Sequence, residues 1–182
     1  MTTNNWNIDT VHSGINFSVR HMVVSKVRGR FGKFSGELAI DDDDLTRSSV
    51  NVAIEAASID TGNAQRDGHL RSGDFFDVVA CPELRFRSTR IDKRGDDRYA
   101  VVGQLTIRDV TREVSLDVEF GGRARDPWGN ERVGFVATAS VDRKEFGLRW
   151  NQALETGGVL VGDRIDIELE LQGVRAAAAK AA

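Results

Sequence analysis

Cysteine is nearly absent from this sequence: Cys81 is the single cysteine among 182 residues. One cysteine cannot form a disulfide within the chain, so a disulfide-stapled fold is excluded, and a reducing compartment is compatible with this composition. We expect Cys81, which directly precedes Pro82, to be a small buried residue rather than a reactive thiol.

The sequence also lacks a long apolar run. No stretch approaches the roughly 20 apolar residues that span a bilayer. The N-terminal segment MTTNNWNIDT has neither a basic start nor an apolar core of signal-peptide length. These absences predict a soluble, cytoplasmic protein without stable membrane insertion. Nucleic-acid binding is not indicated either, because 25 basic residues are dispersed among 28 acidic ones and the net charge is -3.

Motifs of catalysis and metal binding are scarce. His12, His21 and His69 lack the i, i+4 spacing of dedicated metal ligands, and no Cys-x-x-Cys pair accompanies them. Ser13 follows His12, but the G-x-S-x-G turn of a serine hydrolase is missing, as are phosphate-binding glycine loops. The sequence therefore gives little support for an enzyme, and we expect no metal and no cofactor.

Alternation of apolar and polar residues is what the sequence does contain. The clearest case is Ile165, Ile167, Leu169 and Leu171, and this period predicts strands with one apolar and one polar face. Because almost no helix is available to cover the apolar face, we predict an all-β fold, an eight-stranded antiparallel barrel closed on itself. The eight predicted strands cover approximately residues 15–24, 28–40 with a bulge or bend at Gly32, 50–56, a strand that carries Leu84 and Phe86, 99–107, 114–120, 133–141 and 165–171.

Two connections are too long for tight turns. Residues 58–77 can form a short helix over about 64–71, capped by Asp60, Thr61 or Asn63. Residues 144–162 suggest a helical turn before the last strand. Long connections in compact domains are commonly functional, so both are candidates for a cap on the barrel. We assign residues 1–173 to a single domain and 174–182 to a flexible tail.

The inward face of the predicted barrel contains several small residues: Gly36, Ala56, Gly103, Ala137 and Ala139. Such residues either leave an apolar cavity for a ligand or accommodate phenylalanine rings from facing strands, and the alternation does not separate these alternatives.

Polar residues near this face are open to two interpretations. His21 is either a hydrogen-bonded core residue or a ligand contact near a cavity mouth. Arg66, Asp67 and His69 either bind a phosphate or another polar head group or form an internal network that stabilises the short helix.

Several motifs, in order along the chain, resemble the YceI-like family from Trp6 to about Leu171. The opening motif is Trp6-x-Ile8-Asp9-x-x-His12-Ser13-x-Ile15-x-Phe17-x-Val19-Arg20-His21-Met22, followed by Val27-Arg28-Gly29-x-Phe31-x-x-Phe34-x-Gly36. The middle and closing motifs are Ser58-Ile59-Asp60-Thr61-x-Asn63-x-x-Arg66-Asp67-x-His69-Leu70, Asp74-Phe75-Phe76-Asp77, Gly103-x-Leu105-Thr106-Ile107-Arg108-x-Val110-Thr111 and Arg143-x-x-Phe146-Gly147.

The resemblance implies a lipocalin-like eight-stranded barrel that binds a long-chain isoprenoid or a related amphiphile in its interior, often as a homodimer. One departure is Asp109, which stands where the family usually has glycine. Aspartate tolerates turn conformations, so we expect the hairpin to form.

Together these observations predict non-enzymatic binding, sequestration or transport of an isoprenoid lipid, either a polyprenyl phosphate or pyrophosphate or an isoprenoid quinone. The alternative is a lipid-modifying enzyme that uses Asp67 and His69 as acid and base. The predicted ligand-binding residues are Phe17, Val19, His21, Phe34, Leu38, Val52, Ile54, Arg66, Asp67, His69, Phe76, Leu105, Val118, Phe135 and Ile167.

Overall fold

A computed structural model describes residues 2–177 as a barrel built from antiparallel strands. The strands are β1 (Thr3–Ile8), β2 (Gly14–His21), β3 (Ser25–Phe31), β4 (Phe34–Asp41), β5 (Ser49–Glu55), β6 (Ile59–Asp60), β7 (Glu83–Lys93), β8 (Arg98–Ile107), β9 (Val110–Arg125), β10 (Glu131–Asp142) and β11 (Val161–Arg175).

The eleven segments form a closed barrel of eight strands. Three pairs of consecutive segments, β1 with β2, β3 with β4 and β5 with β6, each count as one interrupted strand of the barrel wall. The other five segments count singly. The wall closes because the end of β11 pairs with β1, for example Ile8 with Gly173, while its earlier part pairs with β2, as in Ile167 with Phe17. The predicted all-β, eight-stranded barrel is therefore confirmed, although the sequence prediction did not include β1.

The structure confirms one detail of the predicted strands and corrects another. The interruption predicted at Gly32 is present, since β3 ends at Phe31 and the Gly32 amide donates to the Ser58 carbonyl at 3.1 Å. The predicted strand over 15–24 is too long, because the chain reverses after His21. Val23, which the alternation placed on the inward face, lies in the hairpin turn and is 61% exposed.

The predicted helix in the long connection is present as α1 (Ala64–Arg71), and the Asn63 side chain caps it by accepting from the Arg66 amide at 3.0 Å. Arg71 holds the helix to the barrel by donating to the carbonyls of Ala57 and Ile59, both at 2.9 Å. The helical turn predicted before the last strand is a single 3-10 turn, Arg143–Phe146.

The β8–β9 hairpin forms with Ile107 paired to Val110, as expected despite Asp109. The residue with positive φ is its neighbour Arg108, at 56°.

At the C-terminal end of the chain, β11 continues through Val174 and Arg175, so the first residues of the predicted tail are strand. Residues 178–182 lie outside the described part. Cys81 is half-buried rather than buried.

Candidate functional site

The barrel encloses a cavity of about 270 Å³ whose lining is almost wholly apolar. Its lining residues on β11 extend from Val161 to Leu171, ten residue steps that span about 33 Å at the usual rise of a strand. That volume distributed over that length makes a narrow, elongated space. Such a space suits a linear apolar tail better than a bulky ring system.

Ten of the fifteen predicted ligand-binding residues line this cavity: Phe17, Val19, Leu38, Val52, Ile54, Phe76, Leu105, Val118, Phe135 and Ile167. Nine of them do so because the alternation assigns the correct face to their strands, whereas Phe76 lies in the connection after α1. The other five, His21, Phe34, Arg66, Asp67 and His69, lie outside the lining. These five residues therefore do not bound the cavity, and their contact with a ligand stays a prediction.

Phe34 points inward but fills space instead of bounding the cavity. Its ring packs against two apolar clusters at once, one containing Ile54 and Leu84 and the other containing Trp6 and Leu38. His21 ends β2, opposite Ser25 and Val161, and its side chain is half-buried beside the hairpin turn.

Phenylalanine rings pack directly on two glycines of the barrel wall. A Cβ on Gly29 would lie 2.3 Å from the Phe17 ring, and a Cβ on Gly103 would lie 2.5 Å from the Phe86 ring. Both rings also line the cavity. The small residues were expected either to accommodate phenylalanine rings or to leave a cavity. Both interpretations are partly correct, because Gly103 accommodates a ring while Ala137 borders the cavity.

Arg66 and Asp67 form an internal network around Thr61. The Asp67 carboxylate is buried and accepts from the Thr61 amide at 3.0 Å and from its hydroxyl at 2.5 Å. Arg66 donates through Nε to the Thr61 hydroxyl at 2.7 Å and through Nη2 to the Thr61 carbonyl at 2.8 Å. These bonds fasten the start of α1 to the residue that follows β6 and leave the two side chains outside the cavity.

His69 packs at the seam between the two long connections. Its Nε2 is 2.8 Å from an Asp74 carboxylate oxygen, and its ring meets Trp150 edge-on at 4.5 Å and Phe75 at 5.1 Å. Residues two apart on a helix face different directions, so Asp67 and His69 do not converge on a common point. Of this group, Phe75 reaches the cavity.

Arg143 is the charged residue that lines the cavity, and the sequence prediction did not include it. It is 3% exposed and donates to the carbonyls of Gly162, Leu148 and Trp150 at 2.8–2.9 Å. Burial lowers the pKa of its guanidinium, although Asp163 at 3.8 Å opposes that shift. Extending the alternation of β10 past Val141 by one step would have identified Arg143 as inward-facing.

At the opposite end of the barrel, charged side chains link the β1–β2 junction to the β9–β10 hairpin. Arg132 donates to Asp9 at 2.6 Å and to Asp126 at 2.9 Å. The hydrogen bond from Arg132, followed by that from His12, lowers the pKa of Asp9 well below its usual range. Partial burial opposes the corresponding shift at Asp126, yet hydrogen bonds from Asn130 and Arg132 lower its pKa to about 2.

Within residues 2–177, no three His, Cys, Asp or Glu side chains come together in a way that could hold a metal ion. The described part also contains no helix that is both long and apolar enough to cross a bilayer.

Curated relatives match nearly the full length of the chain. A UPF0312 protein of Staphylococcus epidermidis is 40% identical over 164 residues, which cover 90% of this chain and 93% of the relative. A UPF0312 protein of Vibrio parahaemolyticus is 37% identical over 172 residues, which cover 92% of this chain and 86% of the relative.

Solved structures share the fold. BcnA of Burkholderia cenocepacia superposes with a TM-score of 0.80 at 24% identity, over 91% of this chain and 98% of that one. A YceI protein of Campylobacter jejuni gives 0.75 at 28% identity, over 87% and 90%. A polyisoprenoid-binding domain from Saccharophagus degradans, implicated in plant cell wall breakdown, gives 0.68 at 14% identity, over 94% and 98%.

The sequence also matches the YceI-like domain over residues 6–173, which include every strand from β2 to β10, most of β11 and the second half of β1. The chain therefore belongs to the YceI-like family.

Proposed function

We propose that this protein binds and carries a long-chain isoprenoid lipid in its barrel, either a polyprenyl phosphate or pyrophosphate or an isoprenoid quinone, without changing it chemically. The main support is the narrow apolar cavity, which extends about 33 Å along β11. The fold of a polyisoprenoid-binding domain from another organism supports the same class of ligand.

Burial of the tail supplies the driving force in this proposal. Each buried CH₂ group contributes about 0.8 kcal/mol, so a five-carbon isoprene unit contributes about 4 kcal/mol before costs. Ordering the tail and losing its translational freedom cancel much of this gain. Affinity should therefore depend on tail length more than on the chemistry of the head group.

A binding role is favoured over catalysis by the positions of the two residues in the enzyme hypothesis. Asp67 is held by Thr61 and His69 contacts Asp74, and neither side chain lines the cavity. A general acid or base must reach the reacting atom within hydrogen-bond distance. A lipid enclosed among the lining residues would be out of reach of both.

The test is extraction of the purified full chain with organic solvent, followed by mass spectrometry of the extract. We expect an intact isoprenoid at a stoichiometry near one per barrel. Time-dependent conversion of a supplied isoprenoid, lost in both Asp67→Asn and His69→Gln, would instead establish the enzyme. An extract without any isoprenoid, together with no uptake of added isoprenoid by the delipidated chain, would refute the proposal.

We further propose that the protein acts in the cytoplasm as a homodimer. Sedimentation equilibrium of the purified chain tests the dimer, and fractionation of cells that express the native gene tests the location. A monomer at all concentrations, or recovery outside the cytoplasm, would contradict the respective proposal.

A further inference from the structure

The turn between β2 and β3 exposes a patch of apolar side chains. Met22, Val23 and Val24 are 49%, 61% and 89% exposed, and Val159 on the neighbouring loop is 45% exposed. The two segments touch: the Met22 amide donates to the Leu160 carbonyl at 2.9 Å. We call residues 22–24 together with Val159 the apolar tip. Contiguous exposed apolar residues commonly mark a binding surface.

The backbone of the tip is unfavourable for the residues it contains. Met22 and Val23 have φ values of 52° and 65°, a conformation in which turns normally place Gly, Asn or Asp. For a β-branched residue such as Val23 it is a genuine outlier. Asparagine would suit both the exposure and the backbone better, so the folded chain alone does not account for valine at this position.

Basic residues flank the tip on the β2–β3 side, although the whole chain has a net charge of -3 and the loop that carries Val159 contributes Glu155. Residues 10–36 contain no Asp or Glu, and they contain five basic residues: Arg20, Lys26, Arg28, Arg30 and Lys33. Arg30 pairs with Asp60 at 3.4 Å. Hydrogen bonds from Arg164 and Ser140 are the main cause of the lowered pKa of Asp166, to which the nearby charge of Lys26 adds.

The charges nearest the tip are poorly balanced. Among the described residues, Arg20 and Arg28 form no ion pair with a carboxylate. Arg20 lies directly opposite Lys26 in the hairpin, and like charges in that arrangement destabilise a strand pair. An anionic surface would relieve this repulsion.

The tip adjoins one end of the cavity. His21, the last residue of β2, pairs with Val161, and both Val161 and Val19 line the cavity. We propose that the apolar tip and its basic flanks dock this end of the barrel on the surface of an anionic lipid bilayer. The docking deepens the proposed function, because it brings the cavity to the membrane that supplies or receives the lipid.

Docking is tested with the full chain and vesicles, without any isoprenoid. We expect the protein to sediment with vesicles of phosphatidylglycerol and phosphatidylcholine and to bind phosphatidylcholine vesicles much more weakly. Added salt should weaken the binding. Lys26→Gln should weaken it about five-fold, as expected for one basic residue near an anionic surface. Val23→Asn should weaken it about ten-fold, since it removes apolar burial.

The matched control is Val11→Asn. Val11 is 85% exposed, but it lies in the β1–β2 junction, and β2, which spans about 23 Å, separates it from the tip. Its replacement should leave vesicle binding unchanged. Thermal unfolding of Val23→Asn should occur at or above the temperature of the parent chain, because asparagine tolerates this backbone. Reduced binding therefore cannot be attributed to misfolding.

Three results would overturn the inference: no binding of the parent chain to anionic vesicles, equal binding by the parent and Val23→Asn, or equal losses in Val23→Asn and Val11→Asn. A change of oligomeric state in Val23→Asn would also overturn it, because the tip would then be a contact between two copies. Since no isoprenoid is present, failure here leaves the extraction experiment intact. Successful docking without isoprenoid uptake would refute only the proposed function.

Discussion

Replacement of Ala137 by leucine should reduce the length of lipid tail that the barrel holds. Ala137 lies in the middle of β10, is 4% exposed and borders the cavity between Val118 and Leu169, its partners on the neighbouring strands. Leucine adds three carbons that point into the cavity. In a space this narrow, those carbons and the tail cannot occupy the same section.

The expected loss follows from the carbons that are displaced. Three tail carbons at about 0.8 kcal/mol each amount to about 2.4 kcal/mol, which corresponds to a roughly 50-fold weaker Kd at 1.4 kcal/mol per factor of ten. Only tails long enough to fill the cavity of the parent chain should show the full loss. Overpacking typically costs about 1–3 kcal/mol of stability, so the variant should still fold.

The assay is titration of delipidated protein with isoprenoid alcohols that differ by one unit in length. In the parent chain, affinity should rise with each unit and then reach a plateau when the cavity is full. Ala137→Leu should reach its plateau at a shorter tail. The control is Thr138→Leu, which adds an apolar side chain to the outer face of the same strand and should reproduce the parent curve.

Two results would refute this reasoning. Affinity that does not vary with tail length in the parent chain would mean that the tail is not the recognised part of the ligand. Identical curves for Ala137→Leu and the parent chain would mean that the ligand binds outside the cavity.

Further changes have direct expected outcomes. Gly103→Ala places a Cβ 2.5 Å from the Arg87 carbonyl oxygen and should lower the free energy of unfolding by about 1–3 kcal/mol in urea titrations; an unchanged midpoint would contradict this. Arg143→Met should destabilise the chain by about 3 kcal/mol or more, because buried carbonyls lose their donor, and Arg143→Lys should restore only part of the loss. The hydrogen bond from Arg132 lowers the pKa of Asp9, so this stabilisation is complete above about pH 4 and disappears as the pH falls. Arg132→Gln should therefore flatten the decrease in Tm on acidification, and a parallel decrease in both chains would exclude the linkage.

Alternation predicted the barrel because each strand has one apolar face, and that face is a local property of the sequence. It placed Phe17, Leu105 and Phe135 correctly for this reason. It did not identify β1, where Trp6 and Ile8 are the only inward residues of a short strand. It also extended β2 through Val23, because an apolar turn has the same appearance as the continuation of a strand.

The polar part of the site could not be predicted in the same way. Arg66 is long enough to reach either a ligand or the backbone, and the position of Thr61 decides between them. Phe34 has the correct face, but its level along the barrel axis puts it between two packed clusters. The local sequence determines which face of a strand a side chain is on. Its height along the barrel axis and the groups it can contact depend on which strands become neighbours.

The rings of Phe17 and Phe86 rest on Gly29 and Gly103, where a methyl group would not fit. A ring that packs flat on a wall glycine takes up less of the cavity than the same ring would if it pointed toward the barrel axis. A relative with alanine at position 29 would have to turn the Phe17 ring inward and would accept a shorter guest, with no change in any side chain that the guest touches. The length of tail that such barrels hold can thus differ between relatives because of substitutions at wall glycines. A comparison restricted to cavity-lining residues would overlook this cause.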